Sequence, residues 1–91
     1  MTKKEHLIAT FNEAIVEDAQ YVYVECHAEG SPASELIINP IDNAKLKRDY
    51  YDRAYDDNLK LLNAPVRILT YGYFNNMSQL EYVRDNFKDV H

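Results

Sequence analysis

The stretch RDYYDRAYDDN, residues 48–58, carries three tyrosines and four aspartates, and such a combination could do chemistry. The aspartates could hold a metal ion or imitate nucleic-acid phosphates, and the tyrosines could stack on a ligand. The same letters also suit an amphipathic helix. At about 100° per residue, Tyr50, Tyr51 and Tyr55 fall within one half of the helical wheel, opposite Asp49 and Asp52. We therefore predict a structural helix whose tyrosines pack and whose aspartates face water.

A second group with chemical potential is His27 between Glu25 and Glu29. Alternate residues of a strand share a face, so these three side chains could supply metal ligands. No second histidine is placed to converge with them, and we predict no metal there. Cys26, the single cysteine, alternates to the opposite face with the preceding valines. That pattern predicts a buried structural thiol rather than a nucleophile.

Sequence motifs of known chemistry are missing from the chain. It has no glycine-rich phosphate loop, no CxxC, no HExxH and no nucleophile elbow. Only two glycines occur, which disfavours a phosphate cradle. We predict no cofactor, and nothing in the sequence supports an enzyme over a binding protein.

The elements that would position these residues belong to one predicted domain, residues 1–91. A chain of this length buries a single small core. No apolar run is long enough to span a membrane, and no signal-peptide core follows the first lysines. Together with the lone cysteine, these features predict a cytoplasmic protein that does not bind membranes.

The first half of the chain predicts a helix followed by a β-hairpin. Thr2 and Glu5 have capping-box spacing, and a helical apolar stripe continues from there to about residue 20. From Tyr21 the apolar period changes to two, which indicates a strand. A Gly-Ser-Pro turn at residues 30–32 then leads to a second extended run at residues 35–39.

The second half predicts a helix, a strong strand and a last helix. Asn39 as a cap and Pro40 at the first helical position predict the start of the second helix. A short strand follows around residues 59–61, and residues 66–74 form the strongest strand in the chain. Within it, Gly72 indicates a bulge or a close approach. Capping-box spacing and an apolar stripe predict the last helix at residues 78–90.

These elements predict an α+β fold, a two-layer sandwich with three helices on one face of a three- to four-stranded antiparallel sheet. The other face of the sheet then lies open. Its tyrosines and aliphatic residues form apolar surface typical of a protein interface. Two alternatives stay open: another segment covers this face, or the assignment of the faces is inverted. The predicted partner-binding residues are Tyr21, Tyr23, Glu25, His27, Ile37, Arg67, Leu69, Tyr71 and Tyr73.

Charge is unevenly distributed along the chain, whose net charge is −5. Between Lys4 and Lys45 there are eight acidic residues and no Lys or Arg. Such a surface repels phosphates, so we expect no direct binding to nucleic acid. Glu25, Glu29 and Glu35 would border the open face and favour a basic protein partner.

The run DYYDRAYDDNLKLL followed by VRILTYGYF resembles small uncharacterised proteins encoded by phages and prophages of Gram-positive bacteria. The likeness covers about residues 20–75 and carries over no functional residues. It implies a cytoplasmic accessory protein that acts by binding a host protein.

Two classes of function follow from the sequence. The first, which we favour, is a non-catalytic protein-interaction domain whose open face binds a protein partner or a second copy of the chain. The second is a small-molecule-binding or metal-assisted enzyme with a pocket at a homodimer interface. Binding of nucleic acid by stacking would need more positive charge on the sheet than Arg67 supplies.

Overall fold

The fold, a computed structural model, is described for residues 1–76 and residue 78, and its strands form one antiparallel sheet in the order β2–β1–β3. This confirms the predicted α+β class. A short 3-10 turn, Ile41–Asn43, precedes the second helix. The elements in chain order are α1 (Lys3–Val16), β1 (Tyr21–Ala28), β2 (Glu35–Pro40), α2 (Ala44–Ala54) and β3 (Val66–Phe74).

Helix α1 begins with the predicted capping box. The Glu5 backbone N–H donates to the Thr2 hydroxyl at 3.1 Å, and the Thr2 backbone N–H donates to the Glu5 carboxylate at 3.0 Å. Each bond satisfies a backbone donor that the first helical turn leaves free. Leu7, Phe11 and Ala14 then form the buried stripe of the helix.

Helix α2 begins later than the sequence predicts. Asn39 and Pro40 belong to β2, where they pair with Val22 and Tyr21 of β1. The helix starts only at Ala44, and no side chain caps it. The reason is the hydrogen-bonded pairing with β1, which extends β2 through Pro40. A proline is tolerated on an edge strand because its backbone nitrogen need not donate a hydrogen bond to a neighbouring strand.

The tyrosine-rich stretch is helical as far as Ala54, and two of its tyrosines are buried. Tyr51 and Tyr55 are only 3% and 5% exposed, and the Tyr51 ring meets Phe11 of α1 edge-on at 5.9 Å. Asp49 and Asp52 are exposed, as predicted. The helical wheel predicts that Tyr50 packs, but Tyr50 is 40% exposed because it lies about 100° around the helix from Tyr51.

Both helices lie on one face of the sheet. Side chains of α1 and α2 join the inner side chains of β1 and β3 in a single buried cluster. Val22, Val24 and Cys26 are the inner residues of β1, as the alternation predicted. Among the described residues there are two α-helices and three strands. The third predicted helix, residues 78–90, lies outside the described residues apart from Ser78.

Residues 55–61 do not contain the short strand predicted around residues 59–61. They make two isolated bridges, Tyr55 with Leu61 and Lys60 with Arg67. Two backbone bonds tie this segment to β3: the Ile68 N–H donates to the Leu59 carbonyl, and the Leu61 N–H donates to the Val66 carbonyl.

Strand β3 contains a one-residue bulge. Its pairing with β1 joins Glu25 to Thr70 but Cys26 to Ile68, so Leu69 is the extra residue. An extra residue reverses the alternation of side chains for the rest of the strand. Even-numbered residues therefore face the helices before the bulge, and odd-numbered residues face them after it.

The predicted face is wrong for Ile37, Tyr71 and Tyr73. Beyond the bulge, Tyr71 pairs with Val24 and Tyr73 with Val22, and paired residues share a face. Ile37 also pairs with Val24, from the β2 side. All three residues therefore lie on the helix-covered face and pack against the core.

Replacing Tyr51 by alanine should lower the free energy of unfolding by about 3 kcal/mol or more, because it empties a buried aromatic site. Asp52→Ala is the neighbouring control and should change it by at most about 0.5 kcal/mol, since the Asp52 carboxylate is exposed. Urea denaturation of both variants measures the difference. Equal effects would contradict a purely structural role for this helix.

The Cys26 thiol should react slowly with a thiol reagent in the native protein and quickly in denaturant, because it is only 7% exposed. Burial also raises the pKa of Cys26, against the opposing effect of a hydrogen bond with Tyr55. The reactive thiolate should therefore form at higher pH in the native protein than in the unfolded chain. Labelling rates measured against pH test both statements, and rapid native labelling would mean that the faces of β1 are reversed.

Candidate functional site

The outer face of the sheet is the side opposite α1 and α2. Cross-strand pairing assigns residues to it, because Tyr21 pairs with Phe74, Tyr23 with Ile38 and His27 with Arg67. The outer-face residues are Tyr21, Tyr23, Glu25 and His27 of β1, Leu36 and Ile38 of β2, and Arg67, Thr70, Gly72 and Phe74 of β3.

Five of the nine predicted partner-binding residues lie on this outer face: Tyr21, Tyr23, Glu25, His27 and Arg67. Leu69, in the bulge, is 44% exposed. The remaining three lie beneath the helices, as described above. That any of these residues binds a partner stays a prediction.

An aromatic cluster occupies one end of the outer face. The Tyr23 ring stacks on Phe74 with centroids 4.8 Å apart and an interplanar angle of 22°. It also lies directly over Gly72, where an added Cβ would sit 2.7 Å from Tyr23 ring atoms. The close approach predicted at Gly72 is thereby confirmed. Burial and the neighbouring Glu25 carboxylate raise the pKa of Tyr23.

Polar side chains in the middle of the outer face are held by specific bonds. The Thr70 hydroxyl donates to the Glu25 carboxylate at 2.9 Å. His27 Nε2 lies 3.0 Å from the Ser31 carbonyl, so that nitrogen is the protonated donor. Within the described part of the chain, no group of three His, Cys, Asp or Glu side chains, the Glu25–His27–Glu29 set included, is arranged to hold a metal.

A row of basic side chains crosses the other end of the outer face. His27 pairs with Arg67, and Arg67 is bridged on its other side by Lys60. These three side chains line an open depression of about 420 Å³, together with Glu29. Lys60 and Arg67 also line a neighbouring depression of about 440 Å³, which extends to Lys3.

Lys60 is the residue of this site that sequence reasoning missed. It reaches Arg67 because a tight turn reverses the chain after α2: the Asp56 carboxylate accepts from the Asn58 and Lys60 backbone N–H groups. These bonds lower the pKa of Asp56. The Asp-Asp-Asn sequence is a turn signal that could have suggested the reversal, but the pairing partner could not be read from it.

The two misplaced tyrosines of β3 make contacts with α1 instead. The Tyr71 hydroxyl is hydrogen-bonded to His6 Nδ1. Desolvation and the nearby Glu13 and Glu17 carboxylates raise the pKa of Tyr73. Both side chains therefore have neighbours within the molecule and do not contribute to the outer face.

A separate exposed apolar surface lies on α2. Leu46 is 71% exposed, and Tyr50 follows it one turn later with Lys47 over its ring at 5.7 Å. Leu62, 63% exposed, donates its backbone N–H to the Ala54 carbonyl at the end of the helix. Because α2 packs on the inner face of the sheet, this surface lies on a different side of the molecule from the outer face, which makes it a suitable control surface.

Comparison with known proteins adds no identity: no protein-family model, no curated protein and no solved structure matches the chain. The resemblance to phage and prophage proteins therefore stays a prediction. Within the described residues, no helix combines the length and the apolar character needed to cross a lipid bilayer.

Gly72→Ala should destabilise the protein by about 1–3 kcal/mol, because the added methyl group collides with the Tyr23 ring. The cost should fall when Tyr23 is replaced by serine in the same chain, because the smaller side chain leaves room for the methyl group. Urea denaturation of the two single variants and the double variant measures this coupling. An equal cost in both backgrounds would contradict the ring-over-glycine contact.

Proposed function

We propose that this protein acts by binding another protein, and that the outer face of the sheet is its contact surface. One observation supports the proposal above the others. Tyr21, Tyr23, Leu36 and Ile38 form an apolar patch on the side of the sheet opposite both described helices, and each of the four is only partly buried.

The chemistry of the patch suits a protein interface. Tyrosine offers a large contact area for the loss of few rotatable bonds, and aromatic residues are enriched at interfaces. The Tyr23 side chain is already held in place because its ring stacks on Phe74 and packs against Gly72. A side chain ordered before binding loses less conformational entropy when a partner arrives.

The partner in this proposal is a cytoplasmic protein. The resemblance to phage and prophage proteins, which is a proposal itself, would make that partner a host protein. A second copy of the chain is the alternative occupant. The enzyme alternative would also use this face, closed into a pocket by a second copy, so the oligomeric state distinguishes it from binding to a different protein.

The test replaces Tyr23 and Ile38 by serine together. We expect the double variant to fold, because both side chains lie outside the buried cluster, and to lose capture of partner proteins from host lysate. Leu46→Ser on α2 is the matched control and should leave capture unchanged. Circular dichroism checks the fold, and light scattering after gel filtration reports the oligomeric state.

Two results would contradict the proposal. One is unchanged capture and unchanged assembly in a folded Tyr23→Ser/Ile38→Ser variant. The other is loss of capture in Leu46→Ser alone, which would move the contact surface to α2.

A further inference from the structure

We infer that the partner segment bound at the outer face carries carboxylates, and that Lys60 and Arg67 are the residues that bind them. This inference rests on the proposed function and names the chemistry of the partner. It differs from the sequence-based expectation of a basic partner, which depended on glutamates bordering the face.

The glutamates contribute less to the outer face than the sequence suggested. Glu35 pairs with Cys26, whose side chain points to the helix side. Glu25 already accepts a hydrogen bond from Thr70. Among the residues that the structure describes, Glu29 is the one acidic side chain that lines the depression beside the basic row.

The basic groups, in contrast, are not held in salt bridges among the described residues, although the Asp56 carboxylate lies close enough to Lys60 for the Lys60 charge to lower the Asp56 pKa. The ion pairs among the described residues involve Lys4 and Arg48, and none involves Lys60 or Arg67. Both residues line two neighbouring depressions, so they place positive charge beside a concave region of an otherwise acidic chain. An Arg guanidinium binds a carboxylate through two parallel hydrogen bonds, which favours a carboxylate ligand here.

The adjoining surface favours a protein segment over other anions. The basic row and the apolar patch of Tyr21, Tyr23, Leu36 and Ile38 lie on the same face, so one extended segment with apolar side chains and terminal acidic groups would match both. A nucleic acid carries a phosphate at every nucleotide, and the net charge of −5 on the protein would repel these phosphates. A protein segment, in contrast, needs negative charge only where it meets the basic row at one end of the outer face.

The experiment selects ligands without assuming a partner. Random peptides displayed on phage are panned on the full chain in low-salt buffer, and the selected peptides are synthesised with a fluorescent label. We expect sequences that combine Asp or Glu with apolar residues. Fluorescence anisotropy then gives the affinity of each peptide for the wild-type chain and for its variants.

Charge reversal is the decisive comparison. Lys60→Glu/Arg67→Glu should weaken binding of the selected peptides by about tenfold or more, because it removes both cations and adds repulsion. Lys45→Glu/Arg53→Glu makes the same change in net charge on α2 and should weaken binding by no more than about threefold, as a long-range effect only. Lys60→Gln/Arg67→Gln serves if the reversed variant does not fold.

The outcomes separate this inference from the proposed function. Peptides that lose binding with Tyr23→Ser/Ile38→Ser but not with Lys60→Glu/Arg67→Glu would overturn the inference and leave the outer face as the contact surface. Peptides insensitive to both variants, or a selection that enriches nothing, would overturn both. Tighter binding of labelled oligothymidine than of any peptide would overturn the choice of a protein segment. Self-association abolished by Lys60→Glu/Arg67→Glu would instead identify a second copy as the occupant.

Discussion

The fold depends on the burial of one face of β1 beneath helices α1 and α2. Val22, Val24 and Cys26 supply the inner face of the central strand, and Val22 and Val24 are each 1% exposed. Removing a valine side chain from water contributes roughly 1.5–3 kcal/mol, which is a large fraction of the stability of a domain this small. Because β1 pairs on both edges, this burial also fixes the faces of β2 and β3.

The parts of the fold that depend on local signals could be predicted from the sequence. The capping box at Thr2 and Glu5, the turn between β1 and β2, and the inner face of β1 each depend on residues close together in the chain. The start of α2 could not be predicted in the same way. Asn39 and Pro40 are good helix-starting residues, but pairing with β1 retains them in the strand.

The residues of the candidate site likewise fall into two groups, those that local sequence patterns predict and those that depend on contacts between distant segments. The sequence pattern predicts the correct face for Tyr21, Tyr23, Glu25 and His27, because β1 alternates without interruption. It does not do so for Tyr71 and Tyr73, because the bulge depends on how β3 fits against β1, which no local pattern encodes. Lys60 depends on a turn in which Leu59, with φ of 62°, adopts a left-handed conformation. Such a conformation costs roughly 1–2 kcal/mol for a non-glycine residue, and the near-complete burial of the Leu59 side chain offsets it.

The bulge at Leu69 makes the identity of the outer face sensitive to chain length. One inserted residue decides whether Tyr71 and Tyr73 lie on the helix-covered face or on the outer face with Tyr23. A substitution in β3 changes one side chain, whereas the loss of a single codon there would exchange the two faces for every residue that follows. Among related sequences, a change in the length of this strand would therefore alter the outer face more than a change in its composition would.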